Sequence, residues 1–394
     1  MTLDIIVPHY KEPWSEGKKL FDMLALQRDV DFSEFRVILV NDGDDLDVYP
    51  EIVKQKYPYQ VDEVIIPHSG VSAARNRGMQ HCDAKWIMFC DFDDTFTSIY
   101  SMRVFFDAME TQKHDMLWTP FYVELNEQHK RQIRKKFNWI FIHGKVFRSS
   151  FLRSRGISFE ESLYYSEDTA FCRVIEMEID PDHIGEIRSE ITPYVWAYRP
   201  GSITTDPQNT FSNAVGLFRR QKYVAGQHQI RGQTELADAV SLRAMCDAYV
   251  TLNRTDLSCD RSEFRNEVLD FYREKRDSIS VSVGVMDTAY EASLKEAGLS
   301  ASDLPQDLSF GRWMGQIDEE IRKGRNGPNK GKNKHFTTEG SEPNERKEKY
   351  LSDEYQRLAD QHLASFRRDL DPDPGPEQSE LFHGQLHGRR QHVG

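Results

Sequence analysis

Hydrophobic positions in the first half of the chain follow two alternating spacings. Four apolar runs typical of buried strands fall at 3–10, 35–42, 61–69 and 85–94. Between these runs, residues 15–27 place apolar side chains on one helix face after Ser15, a predicted N-cap, and residues 71–82 have a helical composition. Strands that alternate with helices in this way predict an α/β fold with a mostly parallel, doubly wound sheet.

The hydrophobic spacing changes after about residue 205. Helical spacing marks three segments, at 210–227, 235–252 and 261–276. A segment rich in Gly, Asn and Lys at 323–336 then predicts a mobile basic loop, and a further helix is predicted over 345–370. We therefore expect three regions: an α/β catalytic domain over 1–205, a helical domain over 206–370, and a disordered tail over 371–394.

Composition and charge exclude several classes of protein. The formal net charge of −13 argues against a general nucleic-acid or anionic-membrane binder. Five cysteines without CxxC spacing indicate neither a disulfide framework nor a zinc site. The chain begins without the features of a signal peptide, and no apolar run approaches the roughly 20 residues that span a bilayer. We expect a soluble, cytoplasmic protein.

Polar clusters follow three of the predicted strands, at 9–12, 41–45 and 91–94. In parallel sheets, ligands bind beyond the carboxyl ends of the strands. Three explanations fit the carboxylates of Asp91, Asp93 and Asp94: a solvated turn with an Asx cap, an acid–base pair, or a site for Mg²⁺ or Mn²⁺. The other strand ends carry groups that suit a nucleotide diphosphate, and this context favours the metal site.

Six motifs stand in order along the chain: IVPHYKE, VNDGDD, SGVSAARNRG, FCDFDD, YSEDTAF and YVWAYRPGSIT. In this order they resemble the motifs of the GT-A fold glycosyltransferases of family 2, over residues 1 to about 205. The resemblance implies a Rossmann-like, mostly parallel sheet with flanking helices, which the mainly α-helical C-terminal region would follow. It also implies a metal-dependent, inverting transfer of a sugar from a UDP-sugar to an acceptor hydroxyl, with Mn²⁺ or Mg²⁺ as the cofactor.

The resemblance assigns the base pocket to residues of the first two motifs. Asp42 is similar in position to the family residue that contacts uracil. A carboxylate can accept a hydrogen bond from the N–H group of that base. The alternative role for Asp42 is that of a strand-end turn residue. Pro8 and Tyr10 would line the base pocket, and Glu12 stands where the family often has Asn or another polar residue.

The phosphate side is assigned to the SGVSAARNRG motif and to Arg199. Gly70 would let the backbone approach the ligand, and the helix start after it offers N–H groups to an anion. Arg75 would pair with a phosphate or with the carboxylates of the acidic motif, unless it is a surface helix residue with a buried stem. Asn76 is assigned to the same nucleotide-sugar side, and Arg199 to the diphosphate.

The acidic motif is expected to divide its work among three carboxylates. By resemblance, Asp91 faces ribose or sugar hydroxyls and Asp93 binds the divalent metal, while Asp94 assists at the metal or caps the next segment. The metal would neutralise the departing diphosphate as a Lewis acid. Some relatives use a later His as a further ligand, and His143 and His183 are the nearest candidates here.

The YSEDTAF motif carries the predicted catalytic pair. Asp168 is the candidate base that takes the proton of the acceptor hydroxyl, and Glu167 would help to place the acceptor. The alternative role is structural: Ser166 would N-cap a helix that begins here. Glu167 and Asp168 would then interact favourably with the helix dipole as acids in the first turn.

Two rival functions are weighed against glycosyl transfer. A nucleotidyltransferase normally carries a Gly-rich loop after its first strand, which PHYKEPW lacks. A non-catalytic nucleotide-sugar or glycan-binding module would not need the Glu167–Asp168 pair. The acceptor is left open among a glycan, a lipid, a protein, a small molecule and a modified nucleic-acid base. The basic loop at 323–336 would bind a polyanion or be merely solvated, and the helical region would shape the acceptor site or form a homo-oligomer.

Overall fold

The computed structural model describes residues 1–43, 48–110, 113–202, 206–254, 259–276, 279, 283–306 and 308–325. The chain divides into two compact units, Met1–Asn209 and the residues from Thr210 onward. All but the first three residues of the predicted basic loop lie outside the described residues, as do the predicted helix over 345–370 and the tail over 371–394. None of the described helices combines the length and apolar character needed to cross a bilayer.

The described residues of the first unit form eleven strands and six α-helices. The strands are β1 (Leu3–His9), β2 (Phe35–Asn41), β3 (Gln60–Ile65), β4 (Trp86–Phe89), β5 (Thr95–Phe96), β6 (Met116–Trp118), β7 (Phe121–Glu124), β8 (Arg131–Arg134), β9 (Lys145–Arg148), β10 (Ile184–Glu186) and β11 (Tyr194–Trp196). The helices are α1 (Trp14–Ala25), α2 (Tyr49–Gln55), α3 (Val71–His81), α4 (Ser101–Glu110), α5 (Ser149–Ser154) and α6 (Glu167–Glu178). Short 3₁₀ turns lie at Phe32–Glu34, Pro181–His183 and Pro207–Asn209.

Seven strands form the main sheet, in the order β10-β6-β9-β4-β1-β2-β3. The pairs that β1 makes with β2 and β4 are parallel, and only β9 among the seven runs antiparallel to its neighbours. β1 is buried on both faces, with Leu3, Ile5, Ile6 and Val7 all inaccessible to solvent. Such continuous burial is expected of a parallel strand covered by helices on both sides.

A second sheet of four short strands has the order β5-β11-β7-β8. β11 runs antiparallel to β5 and parallel to β7. Of these four strands, the sequence predicted only β11, within the YVWAYRPGSIT motif. Since the strands are two to four residues long, they are too short to show a periodic pattern.

Helix α1 begins two residues earlier than an N-cap at Ser15 would place it. Pro13 occupies the N-cap position and Trp14 is the first helical residue, so the predicted N-cap role of Ser15 is wrong. The fixed φ of proline suits the residue that leads into a helix. The buried face of α1 includes Gly17, where an added Cβ would lie 2.2 Å from Cζ of Phe92. The missing side chain lets Phe92, which stands between Asp91 and Asp93, pack against the helix.

The second unit is helical in its described part. Its elements are α7 (Thr210–Ile230), α8 (Thr234–Asn253), α9 (Ser262–Lys275), a 3₁₀ turn at Ala301–Asp303, α10 (Val283–Glu296) and α11 (Phe310–Arg325). The sequence predicted the first three helices and missed the last two. Phe218, Met245, Phe271 and Trp313 are among the side chains of its apolar core. The predicted fold class, an α/β sheet domain followed by a helical region, is confirmed.

Candidate functional site

The predicted site residues come from the carboxyl edge of the main sheet and the elements that follow it. β1 lies between β2 and β4 and is parallel to both: its last residue, His9, pairs with Asn41 at the end of β2, and Ile6 pairs with Phe89 at the end of β4. The segments after these three strands therefore emerge side by side. Helix α3 begins after β3, and helix α6 and the segment after β11 supply the remaining groups.

Asp42 anchors the turn that leads into α3. Its buried carboxylate accepts hydrogen bonds from Ser69 N at 2.7 Å, Gly70 N at 2.9 Å and His68 Nδ1 at 2.8 Å. A carboxylate offers about four acceptor positions, so one remains for a further donor. Gly70 has φ of +94°, which a residue with a side chain rarely adopts. The two predicted ligand-binding residues Asp42 and Gly70 are thus brought into direct contact.

Tyr10 forms an aromatic pair that the sequence did not predict. Its ring stacks on that of His68, with 3.9 Å between centroids and 7° between planes. The Tyr10 backbone N–H donates to Oε2 of Glu12 at 2.8 Å, which fixes the turn after β1. Pro8 is partly exposed and pairs with Val40 in the sheet. His68 carries no motif signal in a single sequence, because an isolated histidine in a turn is common.

Arg75 joins three separate motifs at one buried point. Its side chain is 4% exposed, and its two Nη atoms donate to Asp91 Oδ1 at 2.9 Å and to Glu167 Oε1 at 2.7 Å. Helix α3 presents the guanidinium between β4 and α6. Arg75 therefore neutralises Asp91 and Glu167, which lie 76 positions apart in the chain. Of the two partners predicted for Arg75, phosphate or acidic motif, the structure shows the second.

Asn76 is turned toward the protein. Its side-chain amide donates to Phe159 O and to Glu161 Oε1, both at 2.9 Å, and its carbonyl accepts from Phe159 N at 2.8 Å. These bonds fix the segment that precedes α6 against α3. The assignment of Asn76 to nucleotide-sugar binding therefore stays a prediction, and the structure adds a positioning role for its side chain.

The three acids of the acidic motif point to three different partners. Asp94 is inaccessible to solvent and accepts from the Tyr194 hydroxyl and from Ala197 N, the latter at 2.9 Å. Asp93 Oδ2 accepts from Arg199 Nε at 2.7 Å. Asp91 pairs with Arg75 as described above. Since β4 ends at Phe89, the turn that follows it splays successive side chains to different sides.

Burial and mutual repulsion disfavour the ionised forms of two carboxyls in this cluster, Asp93 and Asp94. Burial, together with the charges of Asp91 and Asp93, raises the pKa of Asp94 well above its usual range. Burial and Asp91 likewise raise the pKa of Asp93, although Arg199 opposes them. At Asp91 burial also acts upward, but the Arg75 guanidinium outweighs it and lowers the pKa. A further cation at this cluster would therefore be stabilised.

The donor set suits a divalent cation. Ligand atoms of Asp91, Asp94 and His143 lie within 4.8 Å of one another. His143 is 4% exposed, and its Nδ1 lies 3.7 Å from Asp94 Oδ2 with no hydrogen-bond partner among the described residues. Burial lowers the pKa of His143 to about 4, so its ring is neutral and able to ligate. His183, the other candidate, instead hydrogen-bonds to Asp115 at 2.8 Å.

Asp168 lies in the first turn of α6, next to the Arg75 cluster. Its Oδ1 accepts from Thr169 N at 2.7 Å, and burial and the charge of Glu167 raise its pKa to about 7, against the opposing effect of Arg75. Ser166 occupies the predicted N-cap position, but it lies in the left-handed region, with φ of +64°, and its side chain makes no capping hydrogen bond. A carboxyl that titrates near neutral pH suits a general base.

The fold and the edge of the sheet define an α/β domain of the GT-A type, with acids and a buried arginine where the strands end. Residues 4–180 match the model of the family described as Glycosyl transferase family 2. This part of the chain, residues 4–180, is therefore a glycosyltransferase family 2 domain.

Curated relatives agree with this family assignment over part of their length. The chain is 27% identical over 194 residues to the uncharacterized glycosyltransferase EpsJ of Bacillus subtilis (strain 168), a match that covers 43% of this chain and 54% of that protein. It is 26% identical over 189 residues to the minor teichoic acid biosynthesis protein GgaA of the same organism, covering 42% and 41%. The chain thus spans about half the length of these relatives.

Solved structures show a distant likeness. The crystal structure of S. aureus TarS 1-349 in complex with UDP-GlcNAc has a TM-score of 0.45 and 17% identity, covering 76% of this chain and 93% of that chain. The mannosyltransferase PcManGT from Pyrobaculum calidifontis, in complex with GDP-Man and Mn²⁺, has a TM-score of 0.43 and 14% identity, covering 75% and 86%.

Proposed function

We propose that the first unit transfers a sugar from a UDP-sugar to an acceptor hydroxyl, with inversion at the anomeric carbon and with a divalent cation as the cofactor. The observation that carries this proposal is the buried Arg75, which ties Asp91 at the end of β4 to Glu167 at the start of α6. This contact supports the proposal because it joins the residues assigned to the nucleotide and to the acceptor in one charged cluster, next to Asp168 with a pKa of about 7.

On the donor side, the groups at the ends of β1, β2 and β4 would bind the nucleotide. The remaining acceptor position of Asp42 would take a base N–H, and Tyr10 would contribute its ring face. Asp93, supported by Asp91 and the buried Asp94, would hold Mn²⁺ or Mg²⁺. When bound, the cation would supply Lewis-acid stabilisation of the negative charge on the departing diphosphate.

On the acceptor side, Asp168 would accept the proton of the attacking hydroxyl. Inversion requires this base on the face of the sugar opposite the diphosphate, and the base must be ionised when the acceptor binds. Arg75 and the Thr169 N–H keep part of the Asp168 population ionised, whereas burial and Glu167 act in the other direction. Glu167, fixed by Arg75, would help to orient the acceptor.

Donor and metal preference give the first test. We expect slow hydrolysis of UDP-sugars, without any acceptor, in the presence of Mn²⁺ or Mg²⁺, and no comparable hydrolysis of GDP- or CDP-sugars. EDTA should abolish the reaction, because the diphosphate then leaves without charge neutralisation. A screen of donors by release of the free nucleotide measures this directly. Equal turnover in EDTA would contradict the metal-dependent mechanism, and a preference for GDP-sugars would contradict the assignment of uracil to the base pocket.

The pH dependence of transfer gives a second prediction. Since Asp168 must be deprotonated and its pKa is about 7, kcat/KM should fall about tenfold per pH unit below neutrality and level off above it. Glu167→Gln should move this limb to lower pH, because it removes a negative charge that raises the pKa of Asp168. Glu178→Gln, at the other end of the same helix, should leave the limb in place. A limb that Glu167→Gln does not move would contradict the pairing of the two carboxyls.

A further inference from the structure

Arg199 is hydrogen-bonded to Asp93, the residue whose carboxylate would bind the metal in the proposed function. Its Nε donates to Asp93 Oδ2 at 2.7 Å, and its Nη2 lies 3.5 Å from Glu12 Oε1. Glu12 is in turn held by the backbone N–H of Tyr10 at 2.8 Å. The guanidinium therefore sits between the ends of β1 and β4, where it provides the positive charge that a bound cation would otherwise provide.

Two cations compete for one carboxylate in this arrangement. A guanidinium hydrogen-bonded to Asp93 uses the oxygen lone pairs and the electrostatic attraction that a divalent ion would need. Asp93 lies two positions from Asp91, so either cation would offset the repulsion between the two carboxylates. The Arg199 side chain is 33% exposed, in contrast to Arg75, which is enclosed. Arg199 can therefore leave Asp93 with less disruption of the core than Arg75 would cause.

A nucleoside diphosphate would give Arg199 a second partner. Guanidinium groups bind phosphate oxygens in a bidentate manner and at least as well as they bind a carboxylate. A metal on Asp93 would displace Arg199 and bring the diphosphate close to the same strand end. The loss of one ion pair is then offset by the gain of another.

We propose that Arg199 is a displaceable internal cation that holds Asp93 in the nucleotide-free protein and moves to the diphosphate when metal and nucleotide bind. This inference rests on the proposed metal site at Asp93 and adds to it a source of coupling between the two ligands. Nucleotide withdraws Arg199 from Asp93 and so favours metal, and metal releases Arg199 and so favours nucleotide. Such coupling is reciprocal by thermodynamic necessity.

The proposal gives Arg199→Gln opposite effects on two binding constants. Without nucleotide, the variant should bind Mn²⁺ about tenfold more tightly than the unsubstituted protein, because the competing charge-assisted hydrogen bond is gone. In the presence of Mn²⁺ it should bind UDP about tenfold more weakly, because the diphosphate has lost its arginine. Free Mn²⁺ measured by electron paramagnetic resonance and UDP binding measured by calorimetry give both constants without any assay of turnover.

Matched variants separate this displacement from a general change of charge. Arg188 is 86% exposed and pairs with Glu186 in the same unit, so Arg188→Gln removes the same charge from a surface position and should change neither constant. Arg199→Lys retains the charge without the planar fork and should lie between the two proteins. If Arg199→Gln lowers the melting temperature, Arg199→Lys decides between displacement and misfolding. The displacement then predicts that Arg199→Lys binds Mn²⁺ alone more tightly, and UDP more weakly, than the unsubstituted protein.

The outcomes distinguish two failures. Unchanged or weaker binding of Mn²⁺ alone by Arg199→Gln, with a normal response of the unsubstituted protein to Mn²⁺ and UDP together, overturns the displacement and leaves the proposed function standing. An equal gain in Arg188→Gln also overturns it, because the effect would then be a general one. Failure of the unsubstituted protein to bind Mn²⁺ even with UDP contradicts the proposed metal site itself, and the displacement fails with it.

Discussion

Replacing Asp168 by Asn is expected to lower kcat for sugar transfer by about 10²- to 10⁴-fold, which is the range that loss of a general base produces. The amide keeps the shape of the side chain and can still accept the hydrogen bond from Thr169 N, but it cannot take a proton. Binding of UDP with Mn²⁺ should be unchanged, because Asp168 lies on the acceptor side. Steady-state transfer and calorimetric titration of UDP measure the two quantities separately.

The stability of the same variant distinguishes a catalytic role from a structural one. If Asp168 served only the dipole of α6, its loss would cost about 0.3–1 kcal/mol of unfolding free energy and no activity beyond that. Because burial raises the pKa of Asp168 to about 7, its ionised form opposes folding above neutral pH, and the neutral amide should be neutral or stabilising. Urea denaturation at pH 8 measures whether Asp168→Asn raises or lowers the free energy of unfolding.

A surface carboxyl provides the control for this experiment. Asp182 is exposed in the 3₁₀ turn after α6, and Asp182→Asn should change neither transfer nor stability. Full activity of Asp168→Asn would show that another group takes the proton. Loss of UDP binding in parallel with activity would show that Asp168 acts through the fold of the site.

The order of elements and the ends of the strands could be predicted from the sequence, because each rests on a local pattern. β1, β2 and β4 are continuous apolar runs, and α6 begins at Glu167 where the motif predicts a helix start. The antiparallel strand β9 and the strands β5, β7 and β8 of the second sheet were missed, because strands of two to four residues carry no usable period.

The membership of the acidic cluster was predicted better than its internal contacts. The sequence placed Asp91, Asp93 and Asp94 together, but it could not show that each would meet a different partner. That division depends on a turn whose geometry follows from packing of Phe92 against α1. The sequence also could not show that an atom of His143, 49 positions after Asp94 in the chain, would lie within 4.8 Å of carboxylate oxygens of Asp91 and Asp94.

Two other contacts depend on the tertiary fold alone. Arg75 reaches Glu167 across 92 positions, and the stacking of His68 on Tyr10 joins the segments that follow β3 and β1. Neither distance is encoded in spacing along the chain. The resemblance to a family supplied the types of residue in the site, and the fold supplied the pairs that they form.

Replacing Asp93 by Asn should abolish the contribution of Mn²⁺ to UDP binding. In the unsubstituted protein, Mn²⁺ should tighten UDP binding by at least about 100-fold, a coupling at the upper end of the usual range. In Asp93→Asn, the UDP dissociation constant should be the same in Mn²⁺ as in EDTA, because the neutral amide is a poor ligand for a hard cation. Asp107→Asn, which neutralises a carboxyl on the exposed face of α4, should behave like the unsubstituted protein.

The most direct test of the account is therefore a calorimetric titration of UDP into the two proteins, with Mn²⁺ and with EDTA. We expect a large effect of Mn²⁺ on UDP binding in the unsubstituted chain and none in Asp93→Asn. An equal metal effect in both, or no metal effect in the unsubstituted chain, would contradict the claim that a divalent cation at this strand end stabilises the nucleotide as it leaves.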